Sequence, residues 1–188
     1  MKIPLIYGHH RSGNHYLAAL INVNFFQKPD YLHLVHSRQH VLIRGIVDNR
    51  VYLYIHRNFV DVSRSVFNMR ARLGLDVASY EDFLKHRYCD MYTGKLPVSM
   101  KTNFMAGYGT SRSNSIFFSR IKATPEEWHT RHVEHFRQVF EGKPNCLMVD
   151  YDELRGNLQV EMAKIAVLIR SKKTRFDNVI EKVGWWPS

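Results

Sequence analysis

Residues Tyr7 to Tyr16 read YGHHRSGNHY, a glycine-bounded loop set between two apolar runs. Upstream, Ile3-Pro4-Leu5-Ile6-Tyr7 suits a buried strand, and downstream, Tyr16-Leu17-Ala18-Ala19-Leu20-Ile21 has helical composition. Gly8 and Gly13 are spaced like the glycines of a phosphate loop, G-x-x-x-x-G. Such a strand–loop–helix unit directs backbone N–H groups and a helix N-terminus at an anion. Two parts of a phosphate loop are replaced, however. Asn14 stands where the lysine belongs, and His15 where the magnesium-binding hydroxyl belongs. The loop therefore suits a nucleotide whose reactive group is anionic but is handled without that metal.

The stretch 51–69, VYLYIHRNFVDVSRSVFNM, repeats the plan. Val51 to Ile55 is β-branched and aromatic, and Asp48-Asn49 bounds it upstream, which predicts a strand. Phe59, Val62, Val66 and Met69 then recur at helical spacing. Asn58 suits the N-cap, and Asp61 falls in the first turn, where a carboxylate favours the macrodipole. Arg57 would emerge at the strand's carboxyl end, and Ser65 two turns into the helix could share its side. Open α/β sheets bind nucleotides at that edge.

A pass along the chain predicts strand 3–7, helix 13–22, a short strand near 32–36 or 41–46, strand 51–56, and helices 59–72 and 79–88. A long irregular stretch, about 95–119, carries Gly107, Gly109, Ser111, Arg112, Ser113 and Ser115, a composition typical of lids and substrate loops. Helix 125–140 follows, with Thr124 as N-cap, Pro125 at the first position and Glu126-Glu127 in the first turn. Strand 146–150 and helix 153–169 close the series. Strands alternating with helices argue for an α/β fold, a parallel sheet covered by helices. The 188 residues suit a single domain, 1–188, with a real core.

The loop, the Arg57 stretch and two later segments together resemble the sulfotransferases that use 3′-phosphoadenosine 5′-phosphosulfate (PAPS). The first motif of that family, approximately Y-P-K-S-G-T-T-W, corresponds to Arg11-Ser12-Gly13-Asn14-His15-Tyr16. The second, R-N-x-x-D-V-x-x-S, corresponds to Arg57-Asn58, Asp61-Val62 and Ser65, and is the most specific match. Cys146 to Leu154, CLMVDYDEL, is similar to the family's late strand followed by Y-E-D-L. Trp128 with His132-Val133 is similar to a W-x-x-H-V stretch. The matches come in family order over most of the chain.

The resemblance implies a P-loop-NTPase-like three-layer fold and transfer of a sulfuryl group from PAPS to a hydroxyl acceptor, a small phenol or alcohol, leaving adenosine 3′,5′-bisphosphate (PAP). Arg11, in place of the loop lysine, would stabilise the leaving phosphate oxygen; arginine keeps its proton, so its role is electrostatic. Ser12, Gly13, Asn14 and His15 would hold the 5′-phosphosulfate. Tyr16 stands where the family has a tryptophan against the adenine. Arg57 and Ser65 would hold the 3′-phosphate, and Tyr151 would reach the adenine end. The base falls in the segment Leu32 to His40, LHLVHSRQH, with His36 at the family's separation from Arg57 and His33 and His40 as runners-up. No R-K-G clamp precedes Gly184 and Trp186, and Lys172, Lys173 or Arg175 are the available replacements.

Plainer readings exist for the same residues. Arg57 and Asp61 could form an ion pair at a helix start, Tyr151 could serve packing, and Trp128, Trp185 and Trp186 read as packing groups. Two other functions remain open. A phosphate-loop nucleotide or nucleoside kinase would keep the fold but lacks the lysine and the hydroxyl. A basic nucleic-acid-binding module would explain the formal charge of +10, yet no recognised binding motif is present and the cations are spread along the chain. Neither nucleic acid nor membrane is therefore expected as a partner. His33, His36 and His40, and His129, His132 and His135, cluster at short spacings, but neither group has carboxylate or cysteine companions at motif spacing, so no metal is expected. Cys89 and Cys146 make no disulfide framework, and the chain begins directly in a strand, which points to the cytoplasm.

Overall fold

A computed structural model provides the fold; the structure describes residues 1–9, 11–26, 37–39, 42–43, 45–71, 76–87, 115–116 and 123–179. The chain forms two compact units. One comprises Met1–His40, Ile46–Arg57 and Phe136–Ser188, the other Val41–Gly45 and Asn58–His135.

The first unit is built on a sheet of β1 (Leu5–Gly8), β2 (Ser37–Gln39), β4 (Tyr52–His56) and β6 (Cys146–Asp150). Their order is β2-β1-β4-β6, and every pairing is parallel. The α/β architecture read from the sequence, a parallel sheet with helical cover, is thus present. From β1 the chain moves to β2 on one side, then returns to β4 on the other. The strand order reverses beside β1, and crevices at such switch points, at the carboxyl ends of the strands, are where these sheets take ligands.

Strand alternation splits the side chains between two faces. Leu53 and Ile55 join Ile6 and Val149 in a core with α1 (Asn14–Ile21) and the last helix, α6 (Leu158–Ile169), through Leu17, Leu20, Ile21, Met162, Ile165 and Ile169. Tyr7, Tyr52 and Tyr54 carry aromatic contacts instead, with the Tyr54 ring stacked 4.3 Å from Phe136 and Tyr52 edge-on to Phe140. These residues are almost wholly buried. Each large apolar side chain buried this way contributes roughly 1.5–3 kcal/mol, and the sum rigidifies the strand ends that carry the site.

Helix α1 starts at Asn14 rather than Gly13 and continues as a π-helical turn, Asn22–Phe26. The Asn24 side chain donates to the Leu20 carbonyl at 2.9 Å, the acceptor that its own backbone N–H would use in an α-helix. That amide also donates to Asp177 O at 2.9 Å, and its oxygen accepts from Asp177 N at 2.7 Å. Gln159 brackets Phe176 in the same way, at 2.7 and 3.0 Å. Residues 171–179 have no regular secondary structure but are fastened to the π-helical turn and to α6 through these amides.

The predicted helix 153–169 is two helices, α5 (Tyr151–Gly156) and α6, broken at Asn157. It begins two residues early because Asp150 caps it, Oδ1 accepting from the Asp152 and Glu153 amides at 2.8 and 3.1 Å. The predicted strand at 32–36 lies outside the described residues. Of the alternative at 41–46, Leu42–Ile43 is observed as β3, antiparallel to β5 (Ser115–Ile116) in the second unit. Most of the irregular stretch 95–119 is likewise outside the described residues.

In the second unit, α2 (Phe59–Asn68) and α3 (Tyr80–Lys85) are shorter than their patterns predict. Asn58 is the N-cap of α2, accepting from the Asp61 amide at 3.0 Å and donating to its carboxylate at 2.8 Å. Helix α4 (Pro125–Phe140) opens with a reciprocal Thr124–Glu127 cap, and its last turn, from Phe136, belongs to the first unit. Val62, Val66, Phe83, Ala123 and Trp128 form this unit's core, so Trp128 is a packing group as read. Among the described residues no helix is long and apolar enough to cross a membrane.

Candidate functional site

The loop after β1 has a conformation that few sequences tolerate. Gly13 sits at φ 95° and caps α1, and Arg11 adopts φ 64°. A Cβ on Gly13 would collide with the Tyr151 ring, and one on Gly8 would collide with the Asn14 side chain and the Ile55 carbonyl of β4. Gly13 is therefore required by turn geometry and by close approach, Gly8 by close approach alone. Arg11 has no such freedom, and an arginine in the left-handed region stores strain of a kind that concentrates at functional sites.

Asn14, in the lysine position, is buried, and its amide donates to the His9 carbonyl at 2.9 Å, bracing the loop. The Ser12 amide donates to the same carbonyl at 3.2 Å. Tyr54, fully buried on β4, is bonded to the His9 backbone, and burial pushes its pKa well above the usual phenol range. The Ser12 hydroxyl and the Asn14 side-chain oxygen are buried without a hydrogen-bond partner among the described residues. Buried polar atoms are rarely left so, and here two of them fall within one loop.

Arg57 leaves the end of β4 and meets the start of α5. Its guanidinium carbon lies 4.7 Å from the centre of the Tyr151 ring, a cation–π distance, and its Nε lies 3.9 Å from Asp152 Oδ1. Arg155 approaches the same ring at 5.9 Å. Arg11 belongs to this group electrostatically. Desolvation first, then the charge of Arg57, lower its pKa, and Tyr151 opposes them. Two guanidiniums held close enough to repel are a natural place for an anion between them. Partial desolvation and then Arg11 lower the pKa of His15, although that side chain is exposed. Both influences favour the neutral imidazole of His15.

Tyr16 is nearly buried, edge-on to Tyr151 with centroids 5.8 Å apart, and its hydroxyl donates to Asn178 at 3.0 Å. The fold thus gathers Arg11, Ser12, Gly13, Asn14, His15, Tyr16, Arg57 and Tyr151 at the carboxyl edge of β1, β4 and β6. Ser65 lies in the second unit, half-buried on α2. His36, with His33 and His40, lies outside the described residues, as do Gly184, Trp185 and Trp186. Of the proposed clamp substitutes, Lys173 pairs with Asp177 at 3.3 Å.

Three contributors escape a reading by resemblance: His56, Asp150 and Asp152. His56 Nδ1 lies 3.5 Å from Asp150 Oδ2. Desolvation is the largest influence on His56 and lowers its pKa, with Asp150 opposing. Asp150 was legible, since Asp150-x-x-Glu153 is a helix-start pattern. Among the described residues no group of three or more His, Cys, Asp or Glu is placed to hold a metal ion.

A sequence profile of the sulfotransferase domain matches residues 6–183. In sequence, no curated protein is significantly similar to the chain. Among solved structures it is similar to mouse sulfotransferase SULT7A1 complexed with PAP, at 14% identity and a TM-score of 0.49. That similarity covers 92% of this chain and 59% of the other, so the chain spans less than two thirds of the mouse protein's length.

Proposed function

Because the chain belongs to the sulfotransferase-domain family, we propose that it transfers a sulfuryl group from PAPS to the hydroxyl of a small phenol or alcohol. What supports this reading is one juxtaposition. Arg11, on a glycine loop whose buried Ser12 hydroxyl has no hydrogen-bond partner among the described residues, feels the charge of Arg57 at the switch point of a parallel sheet. These residues suit a phosphosulfate at the loop and a second phosphate at Arg57. A kinase reading is less well supported, because Asn14 spends its amide on the His9 carbonyl and brings no ammonium to the loop.

PAPS, when bound, supplies a sulfuryl group whose bond to the 5′-phosphate breaks with its electron pair leaving on the phosphate oxygen. Arg11 stabilises the charge that grows there, and the amides at the start of α1 orient the group. Arg57 holds the 3′-phosphate, and Tyr16 and Tyr151 wall the adenine end. The acceptor's proton goes to a histidine. The resemblance selects His36. Strand β2 runs parallel to β1 and ends at Gln39, level with Gly8; in sequence His36 precedes that strand and His40 follows it. His36 is the choice, and His40 is tested beside it. A cytoplasmic setting belongs to the proposal, on the ground that the two cysteines make no disulfide framework.

Incubation with labelled PAPS and a panel of phenols, alcohols, sugars and amines, in excess EDTA, tests the reading. Label should appear on a hydroxyl acceptor without added metal. Loss of transfer in EDTA, restored by magnesium, or magnesium-dependent ATP turnover in its place, refutes it. By calorimetry, PAP should bind more tightly than 5′-AMP, and Arg57→Ala should remove at least about a tenfold share of that difference, the worth of one charged hydrogen bond. Alanine at His36 or at His40 should slow transfer to alcohols about 10²–10⁴-fold, whichever is the base, and slow transfer to acidic phenols less.

A further inference from the structure

Asp150 is a junction between the two segments that meet at Arg57. It faces His56 across the paired strands β4 and β6. One carboxylate oxygen caps α5, accepting from the Asp152 and Glu153 amides at 2.8 and 3.1 Å, and so fixes the backbone of the turn that presents Tyr151 and Asp152. Both side chains touch Arg57, Tyr151 across the face of its ring at 4.7 Å and Asp152 at Nε at 3.9 Å. The other oxygen lies 3.5 Å from Nδ1 of His56, the residue immediately before Arg57. The His56 ring is further fixed by stacking on Tyr54, 6.4 Å between centroids. A single carboxylate thus constrains Arg57 from the strand it leaves and from the helix it leans on.

We propose that Asp150 and His56 form a positioning pair that aims the Arg57 guanidinium at the nucleotide's phosphate. The inference rests on the reading of Arg57 as a phosphate-binding residue. His56 acts by holding the end of β4 in register with the cap of α5, so that Arg57 reaches its ligand without first having to be ordered. Its contribution is therefore visible only while Arg57 is present.

Calorimetric titration of PAP and of 5′-AMP tests the pair. His56→Phe, which keeps an aromatic ring over Tyr54, should weaken PAP about fivefold or more and leave AMP unchanged. His56→Asn, whose amide nitrogen takes the place of Nδ1 opposite Asp150, should restore PAP binding. Asp150→Ser retains a capping oxygen for α5 but gives up the second one, and should match His56→Phe; it serves as an independent arm if one variant folds poorly. In an Arg57→Ala background, His56→Phe should have no further effect. A PAP affinity for His56→Phe within about twofold of the parent, an equal loss for AMP, or an undiminished effect without Arg57 overturns the pairing. Should the parent chain bind PAP no better than AMP, the reading of Arg57 falls, and the pairing with it. A retained PAP preference with a silent His56→Phe removes the pairing alone.

Discussion

Arg11→Gly should make the protein more stable and less active at once. Arg11 holds φ 64°, a conformation that costs a non-glycine residue about 1–2 kcal/mol. Glycine removes that cost but carries more entropy in the unfolded chain, about 0.4–1 kcal/mol. The fitting control is Arg11→Ala, which deletes the same guanidinium and keeps the strain. The glycine variant should exceed the alanine variant by about 0.5–1 kcal/mol, or roughly 1–4 °C in Tm for a chain of this length. Both should lose most sulfuryl transfer while still binding PAP, since the leaving oxygen's charge develops mainly in the transition state. The assay is a nucleotide-free thermal melt of the three proteins beside a single-turnover measurement with labelled PAPS. If glycine melts no higher than alanine, Arg11 is not strained and the argument from its backbone fails.

Gly13→Ala should behave in the opposite sense, losing about 2 kcal/mol or more together with PAP binding, because the new methyl meets Tyr151 at a positive φ; a melt and a titration check it. His132 is buried, and burial, then His135 and His129, push its pKa from 6.5 to about 3. The unfolded chain therefore binds this proton first, and stability present above pH 6.5 is lost as pH falls toward 3. His132→Leu should flatten that acid limb by up to ~1.4 kcal/mol per pH unit, read from urea midpoints between the two values; an unchanged slope would sink the assignment. Burial raises the Cys146 thiol to about 11, so it should react with a disulfide reagent at pH 8 far more slowly in the native protein than in urea.

The parts legible in the sequence were those written locally. The glycines of the first loop, the Asn58 cap and the Thr124-Pro125 helix start each have a short-range signal, and each is found where that signal puts it. The parts that were not legible depend on distant partners. Ser37–Gln39 is polar and has no strand signature; it is a strand because β1 offers it an edge. The π-helical turn at Asn22–Phe26 carries Asn24, whose amide meets Asp177, a partner 153 positions away in the chain. The split at Asn157 was legible in Gly156-Asn157, a breaker pair inside an apolar stripe. In the site, resemblance pointed to Arg11, Arg57 and Tyr151 but not to Asp150, which acts through strand register and a helix cap, nor to Asp152, which meets Arg57 at Nε only once the chain is folded.

The amide bracket around residues 176 and 177 has a consequence for the chemistry of ageing. A primary amide offers a donor and an acceptor a fixed distance apart, and Gln159 and Asn24 each use both against one backbone residue, as a neighbouring strand would. Hydrolysis of either amide to its acid removes the donor and sets a carboxylate against the Phe176 or Asp177 carbonyl, turning attraction into repulsion at a change of about one dalton. A stored sample that gains that mass at Asn24 should release the segment that also carries Asn178, the partner of Tyr16. Damage at the π-helical turn would then reach Tyr16, proposed above to wall the nucleotide, without altering Tyr16 itself.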